Sequence, residues 1–205
     1  MKKLFLLVAL LAAAPAVFAQ DYYGIPDYGL RKNTTRVEFY GGLALPQNNW
    51  KHNGVSAANT TWTAGIDFQR NVLNFLSLGL DGNYVQFDGD KDASDDFLRT
   101  GIATGLVSGR LYLFPAQATR LYASGGLGIG YMFARETVGD SRVTHNSTNW
   151  AGMIGAGIEF DLQEDIIFGA EARYYLIKAQ DEVKDCIGKS KLHYTSIMLK
   201  LGYRF

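Results

Sequence analysis

Four groups of residues in this chain have types and spacings that chemistry uses. His145-Asn146-Ser147, with Glu159 twelve positions beyond the serine, contains what a serine hydrolase needs: a nucleophile, a base and an acid to orient the base. The spacing argues against it. His145 and Ser147 read as part of a long polar loop, Trp150 to Asp161 reads as one straight strand, and at about 3.3 Å per residue Ser147 and Glu159 stand roughly 30 Å or more apart. A triad would need a turn between them, and none is visible. Asp88-Gly89-Asp90-Lys91-Asp92, followed by Asp95 and Asp96, opens like a calcium loop. Ala93 then stands where the turn glycine belongs, and Arg99 where a bidentate glutamate belongs. A solvated acidic loop is the better reading, with weak divalent binding as the alternative. The glycines from Gly125 to Gly130 lack the third-glycine offset and the following helix of a dinucleotide site. No metal centre and no cofactor is expected. The fourth group is a set of single charges spread through the chain: Glu38, Asp67, Asp81, Arg110, Glu159, Glu171, Arg173 and Lys200. What they do depends on the elements that hold them.

Residues 1–19 read as a signal peptide. Lys2 and Lys3 precede an apolar run from Leu4 to Ala14, too short to span a bilayer as a helix, and Val17-Phe18-Ala19 places small residues where a signal peptidase reads them. Residues 20–34, rich in tyrosine (Tyr22, Tyr23, Tyr28), read as a periplasmic leader. The remainder, 35–205, has the length of one domain and contains no second apolar run of about 18 residues. The formal net charge is zero and basic residues do not cluster, which argues against a nucleic-acid partner. Cys186 is the single cysteine, so an intrachain disulfide is excluded; it is a free thiol or pairs between chains.

From Thr34 onward apolar residues recur at period two, the mark of strands with two different faces. About eight such segments follow: 36–45, 61–70, 75–85, 100–114, 120–133, 150–161, 166–177 and 193–205. In each, apolar residues take one parity, and the eight charges above take the other, beside glycines. The connections alternate in length. Those at 46–60, 86–99, 134–149 and 178–192 are long and polar, whereas 71–74, 115–119 and 162–165 are tight. Aromatic residues of the apolar parity collect at the strand ends: Trp62, Tyr84, Tyr131, Trp150 and Tyr174 toward the long loops, and Phe39, Phe68, Phe160, Phe168, Tyr203 and Phe205 toward the tight turns. Two aromatic girdles around an apolar band, with charge on the opposite face, describe a barrel wall in lipid. Because hydrocarbon offers backbone groups no water, such a sheet must close. The expected fold is all-β, an eight-stranded antiparallel up-and-down transmembrane β-barrel with both termini periplasmic.

Tyr122-Ala-Ser-Gly-Gly-Leu-Gly-Ile-Gly130-Tyr131 and the terminal Leu199-Lys-Leu-Gly-Tyr203-Arg-Phe205 resemble the small outer-membrane barrel family that includes the OmpA transmembrane domain, OmpX and the opacity-type proteins. The resemblance covers nearly all of the chain after residue 19. It implies a Gram-negative outer membrane, with lipid and lipopolysaccharide as neighbours. It also implies that Leu201, Tyr203 and Phe205 form the C-terminal signal read by the barrel-assembly machinery. Some OmpA-type proteins carry a peptidoglycan-binding domain after the barrel; no such segment follows Phe205 here, and that activity is not carried over. The His145, Ser147 and Glu159 set resembles that of outer-membrane lipid A deacylases, subject to the distance objection above. An eight-stranded barrel has an interior just wide enough for side chains to fill, and mixed signs favour neutralisation over an open charged pore. The expected role is structural or in surface interaction, that is, adhesion or envelope integrity, with host or extracellular ligands engaged through the loops. A narrow porin-like channel is the alternative, and a lipid A-modifying hydrolase ranks below both.

Overall fold

The computed structural model describes residues 30, 32–47, 51–52, 55–56, 58–90, 97–138, 141–178 and 191–205. Ten strands follow in chain order: β1 (Thr35–Pro46), β2 (Lys51–His52), β3 (Val55–Ser56), β4 (Thr61–Leu73), β5 (Leu76–Asp88), β6 (Phe97–Leu113), β7 (Thr119–Val138), β8 (Ser141–Asp161), β9 (Ile166–Lys178) and β10 (Lys191–Arg204). β2 and β3 form a small separate hairpin, and the other eight close into one barrel in the order β1-β10-β9-β8-β7-β6-β5-β4. Each barrel strand runs antiparallel to both neighbours, with pairs such as Phe39↔Leu201 and Phe39↔Ile66 across β1, and the register shifts between Asn71 and Leu73 where β4 meets β5.

Closure is completed at the chain's end. The Thr35 N–H donates to the Phe205 carbonyl at 3.0 Å, and the Phe205 N–H donates to the Thr35 carbonyl at 2.9 Å. Phe205 therefore contributes backbone pairing as well as an exposed ring. Deleting it removes both bonds, whereas Phe205→Ala keeps them. At about 0.5–1.5 kcal/mol per bond, the deletion should destabilise the refolded barrel by about 1–3 kcal/mol more than the substitution does. Urea midpoints in detergent measure the difference, and equal midpoints would remove the closure argument.

The wall alternates as its sequence does. Phe39, Trp62, Leu80, Val107, Leu127, Ile129, Trp150 and Ile154 point outward and are each at least 60% exposed. A water-soluble protein does not leave a continuous apolar belt bare. Surrounded by acyl chains, the same belt is the favourable surface. Purified protein should accordingly migrate faster unheated than boiled on a denaturing gel, because paired strands resist detergent; identical mobility would be inconsistent with a closed barrel.

The tight connections are residues 74–75, 114–118 and 162–165, all at one end, here called the turn end. Three of the four opposite connections differ from the expected loops. Pairing of β5 with β6 continues to Asp88↔Arg99 and that of β9 with β10 to Lys178↔Lys191, and β7 and β8 remain paired from Met132↔Ser147 up to Val138↔Ser141. The stretch 134–149, expected as a loop, is thus a projecting hairpin. Its residue types show no apolar parity, so the sequence does not mark it as strand.

Candidate functional site

The barrel interior holds two layers of different chemistry. Toward the turn end lies an ion-pair network. Arg110 reaches three acids at once: its guanidinium donates to Glu38 at 2.8 Å through two nitrogens, to Glu159 at 2.7 Å, and to Asp67. Lys200 Nζ sits 2.8 Å from both Glu38 and Glu171. Arg173 bridges Asp81 at 2.6 Å, Glu171 at 2.9 Å and Asp67 at 3.4 Å. All eight charges singled out from sequence belong to this connected network, and each is at most 3% exposed.

Four further charges complete it. Arg36 pairs with Glu38 and Glu159, each at 3.1 Å, and donates to the Tyr112 hydroxyl. Arg120 holds Asp161 at 2.6 Å, and Arg204 holds the same carboxylate at 2.7 Å. Among the described residues the network therefore contains six acids (Glu38, Asp67, Asp81, Glu159, Asp161, Glu171) and six bases (Arg36, Arg110, Arg120, Arg173, Lys200, Arg204). Arg36 and Arg120 were missed from sequence because they stand at the first turn-end positions of their strands. Their parity, shared with Glu38 and Tyr122, was the available signal.

Tyrosines floor the cations. The Arg173 guanidinium lies 4.6 Å over the Tyr40 ring, Arg110 5.0 Å over Tyr122, and Arg36 5.2 Å over Tyr112. The hydroxyls finish the carboxylates: Tyr40 donates to Asp81 at 3.0 Å, Tyr112 to Glu159 at 3.1 Å, and Tyr122 to Glu171 at 3.0 Å. Room for these long side chains comes from glycines directly across the ladder, Tyr40↔Gly65 and Tyr122↔Gly157. A Cβ at Gly65 would lie 2.3 Å from the Tyr40 ring, and one at Gly157 2.4 Å from the Tyr122 hydroxyl. Leu30 packs against the layer at the turn end. Leu30 is buried with Tyr112 and Tyr122, and its N–H donates to the Pro115 carbonyl at 2.9 Å.

Toward the loop end the interior is mainly apolar, with Thr63, Asn83, Thr100, Thr104 and Ser147 buried among the apolar side chains. Val85, Phe87, Ile102, Leu106, Met132, Ala134, Ala151, Met153, Ile177 and Leu192 pack into one buried cluster. Tyr175 and Tyr194 stack at 4.6 Å where the two layers meet, and the Arg173 guanidinium donates to Tyr175 at 3.2 Å. Sequence reading did not foresee this layer. Ile102 and Met132 carry inward parity but have the same residue type as the lipid-facing set, so periodicity alone could not separate them.

The remaining candidates separate in space. His145 and Ser147 lie on β8 rather than in a loop, and β8 runs unbroken from there to Glu159, so the three do not converge. Ser147 accepts a hydrogen bond from Asn149 at 3.1 Å, and Glu159 is held by arginines. In the acidic stretch, Asp88 pairs with Arg99 at 2.6 Å and Asp90 accepts from Asn59 at 2.8 Å. Asp92, Asp95, Asp96 and Cys186 lie outside the described residues. Among the described residues no three His, Cys, Asp or Glu side chains are grouped as metal ligands. Trp62, Tyr84, Tyr131, Trp150 and Tyr174 all lie on the outer wall in the loop-end half, while Leu201, Tyr203 and Phe205 lie on it at the turn end, each more than half exposed.

Solved structures share this architecture. Ail, the attachment invasion locus protein of Yersinia pestis, is 17% identical, with 85% of this chain and 100% of that chain covered and a TM-score of 0.52. OprG from Pseudomonas aeruginosa is 16% identical, with 87% and 98% covered and a TM-score of 0.52. A major outer membrane protein from Thermus thermophilus is 10% identical, with 85% and 100% covered and a TM-score of 0.56. At such identities the likeness is one of fold. No curated protein matches the sequence. A family model described as the outer membrane protein beta-barrel domain matches residues 4–205, and the chain, an eight-stranded barrel of the bacterial outer membrane, belongs to that family.

Proposed function

We propose that this protein is a closed barrel with a structural or surface-interaction role, whose working surface is its loop end. The observation that carries the reading is the filled interior. A charge-neutral network occupies one half and a mainly apolar cluster the other, and this packing argues against a continuous aqueous path for ions. The hairpin of β7 and β8 supports the same reading, since pairing out to Val138↔Ser141 carries the chain well past Tyr131 and Trp150 of the girdle. In this reading residues 1–19 are removed on export and both termini face the periplasm. The name of Ail, an attachment protein of the same fold, is consistent with a role in adhesion.

Wild-type protein in planar bilayers should give no steady conductance, and reproducible single-channel steps would favour the porin-like alternative. Cells displaying the protein should bind extracellular-matrix coatings. Replacing residues 136–143 by Asn-Gly, a two-residue hairpin turn, should reduce that binding while the barrel stays heat-modifiable. Undiminished binding would remove the hairpin from the working surface.

A further inference from the structure

We propose that the segment before β1 is a releasable strap that seals the turn-end mouth of the barrel and, on release, admits water to the ion-pair layer. The course of the segment is the first support. In the ring β1 and β7 stand four strands apart, on opposite sides. Thr35 begins β1, yet Leu30, only five residues earlier, is buried with Tyr112 of β6 and Tyr122 of β7. Its N–H donates to the carbonyl of Pro115, in the turn between those two strands. Both tyrosines point into the lumen, so the chain passes beneath the lumen to reach them. Its near end is moored to β4: the Asn33 N–H donates to the Asn71 carbonyl at 2.8 Å, and the Asn71 N–H donates to the Thr34 carbonyl at 2.9 Å. The rim is the second support. Arg36 and Arg120 are the second residues of β1 and β7, at the turn-end limit of the lumen, yet they are 1% and 0% exposed. A guanidinium at the rim of an open barrel would meet water. Here Arg36 donates to the Tyr112 hydroxyl, and Leu30 packs on that tyrosine.

The way the segment is held makes it releasable. Among the described residues, Asn33 (φ 68°) and Phe114 (φ 56°) are the non-glycine residues with left-handed backbone, and they stand at the two ends of the crossing. Asn33 turns the chain off the line of β1 and into the mouth. Phe114 opens the turn that presents the Pro115 carbonyl to Leu30, a turn closed by the Gln117 N–H on the Phe114 carbonyl at 3.1 Å. Asparagine tolerates the left-handed region, whereas a phenylalanine ahead of a proline enters it at a cost. One buried leucine and one hydrogen bond hold the far end. Against them stand that cost and the entropy of ordering the segment. The barrel wall behind is a closed ladder of paired strands. The far end of the strap therefore opens well before the barrel does, as a local event.

The test reads access to the lumen from the turn end. Protein extracted from outer membranes in detergent carries Cys186→Ser and the reporter Ser77→Cys. Ser77 is fully buried, lies opposite Asn71 in the ladder, and accepts from Arg36 at 3.3 Å. The probe is sulfonatoethyl methanethiosulfonate, a small anionic thiol reagent, and its addition is followed by intact mass. Thr104→Cys in the mainly apolar layer, in the same background, reports opening of the whole barrel. With the strap present, Ser77→Cys should label at least about fivefold faster than Thr104→Cys. Deleting residues 22–31, or Leu30→Asp, should raise the Ser77→Cys rate about tenfold or more and leave Thr104→Cys unchanged, and Leu30→Met should match the parent. Asn33→Val, whose branched side chain disfavours the left-handed region, should also raise the rate, whereas Asn33→Gly, which enters it freely, should not. Every variant is first shown to be heat-modifiable. Unchanged Ser77→Cys labelling after the deletion and Leu30→Asp would overturn the seal, as would an equal rise at Thr104→Cys. Labelling of Ser77→Cys no faster than Thr104→Cys in the parent would overturn release, and equal rates for Asn33→Val and Asn33→Gly would overturn the hinge at Asn33.

Discussion

Arg110→Met is expected to lower the unfolding free energy of the barrel by about 3–5 kcal/mol, the loss typical when one partner of a buried ion pair is removed. The side chain is 1% exposed and contacts Glu38, Asp67 and Glu159. Its removal leaves three carboxylates short of a cation, with Arg36, Lys200 and Arg173 as the remaining donors nearby. The methionine keeps much of the volume over the Tyr122 ring, so the loss reports charge rather than a cavity. Adding Glu159→Gln to Arg110→Met should recover part of the stability, because one stranded charge is then neutral. Urea unfolding in detergent, followed by tryptophan fluorescence, measures both. A midpoint unchanged by Arg110→Met would mean that water compensates the acids, and the filled interior would be wrong.

Met132→Glu is expected to prevent recovery of a folded barrel. Met132 is fully buried in the apolar layer with Ile102, Ala151 and Ile177. An unpaired carboxylate there costs several kcal/mol, or must take up a proton and remain a poorly bonded polar group. Set against a total stability of about 5–15 kcal/mol for a typical domain, that is a large fraction. Met132→Leu conserves volume and should cost less than about 1.5 kcal/mol. Refolding yield on a heat-modifiability gel separates the two. The comparison also discriminates between lumens: a water-filled channel would solvate a glutamate at this position, so normal refolding of Met132→Glu would argue for the porin-like alternative.

Much of this architecture is legible in the sequence for a simple reason. A strand between lipid and a polar interior must alternate, so the lipid-facing parity of β1, β4, β9 and β10, the tight turns and the inward position of Glu38, Asp67, Asp81, Arg110, Glu159, Glu171, Arg173 and Lys200 follow from residue types alone. Alternation fails wherever both faces meet the same medium. The paired extension of β7 and β8 carries no apolar parity in its residue types, and the strands around Ile102 and Ile177 are apolar at both parities, so the first reads as loop and the inner apolar layer does not stand out. Partnership was also beyond the sequence. Arg110 meets Glu38 across 72 residues and Arg173 meets Asp67 across 106, through the middle of the barrel rather than along a strand. Those contacts depend on how far each strand is staggered against the next when the sheet closes. Stagger is a property of the closed ring, because shifting one strand would move its inward charges away from partners on several others, as Arg110 on β6 meets Glu38 on β1, Asp67 on β4 and Glu159 on β8.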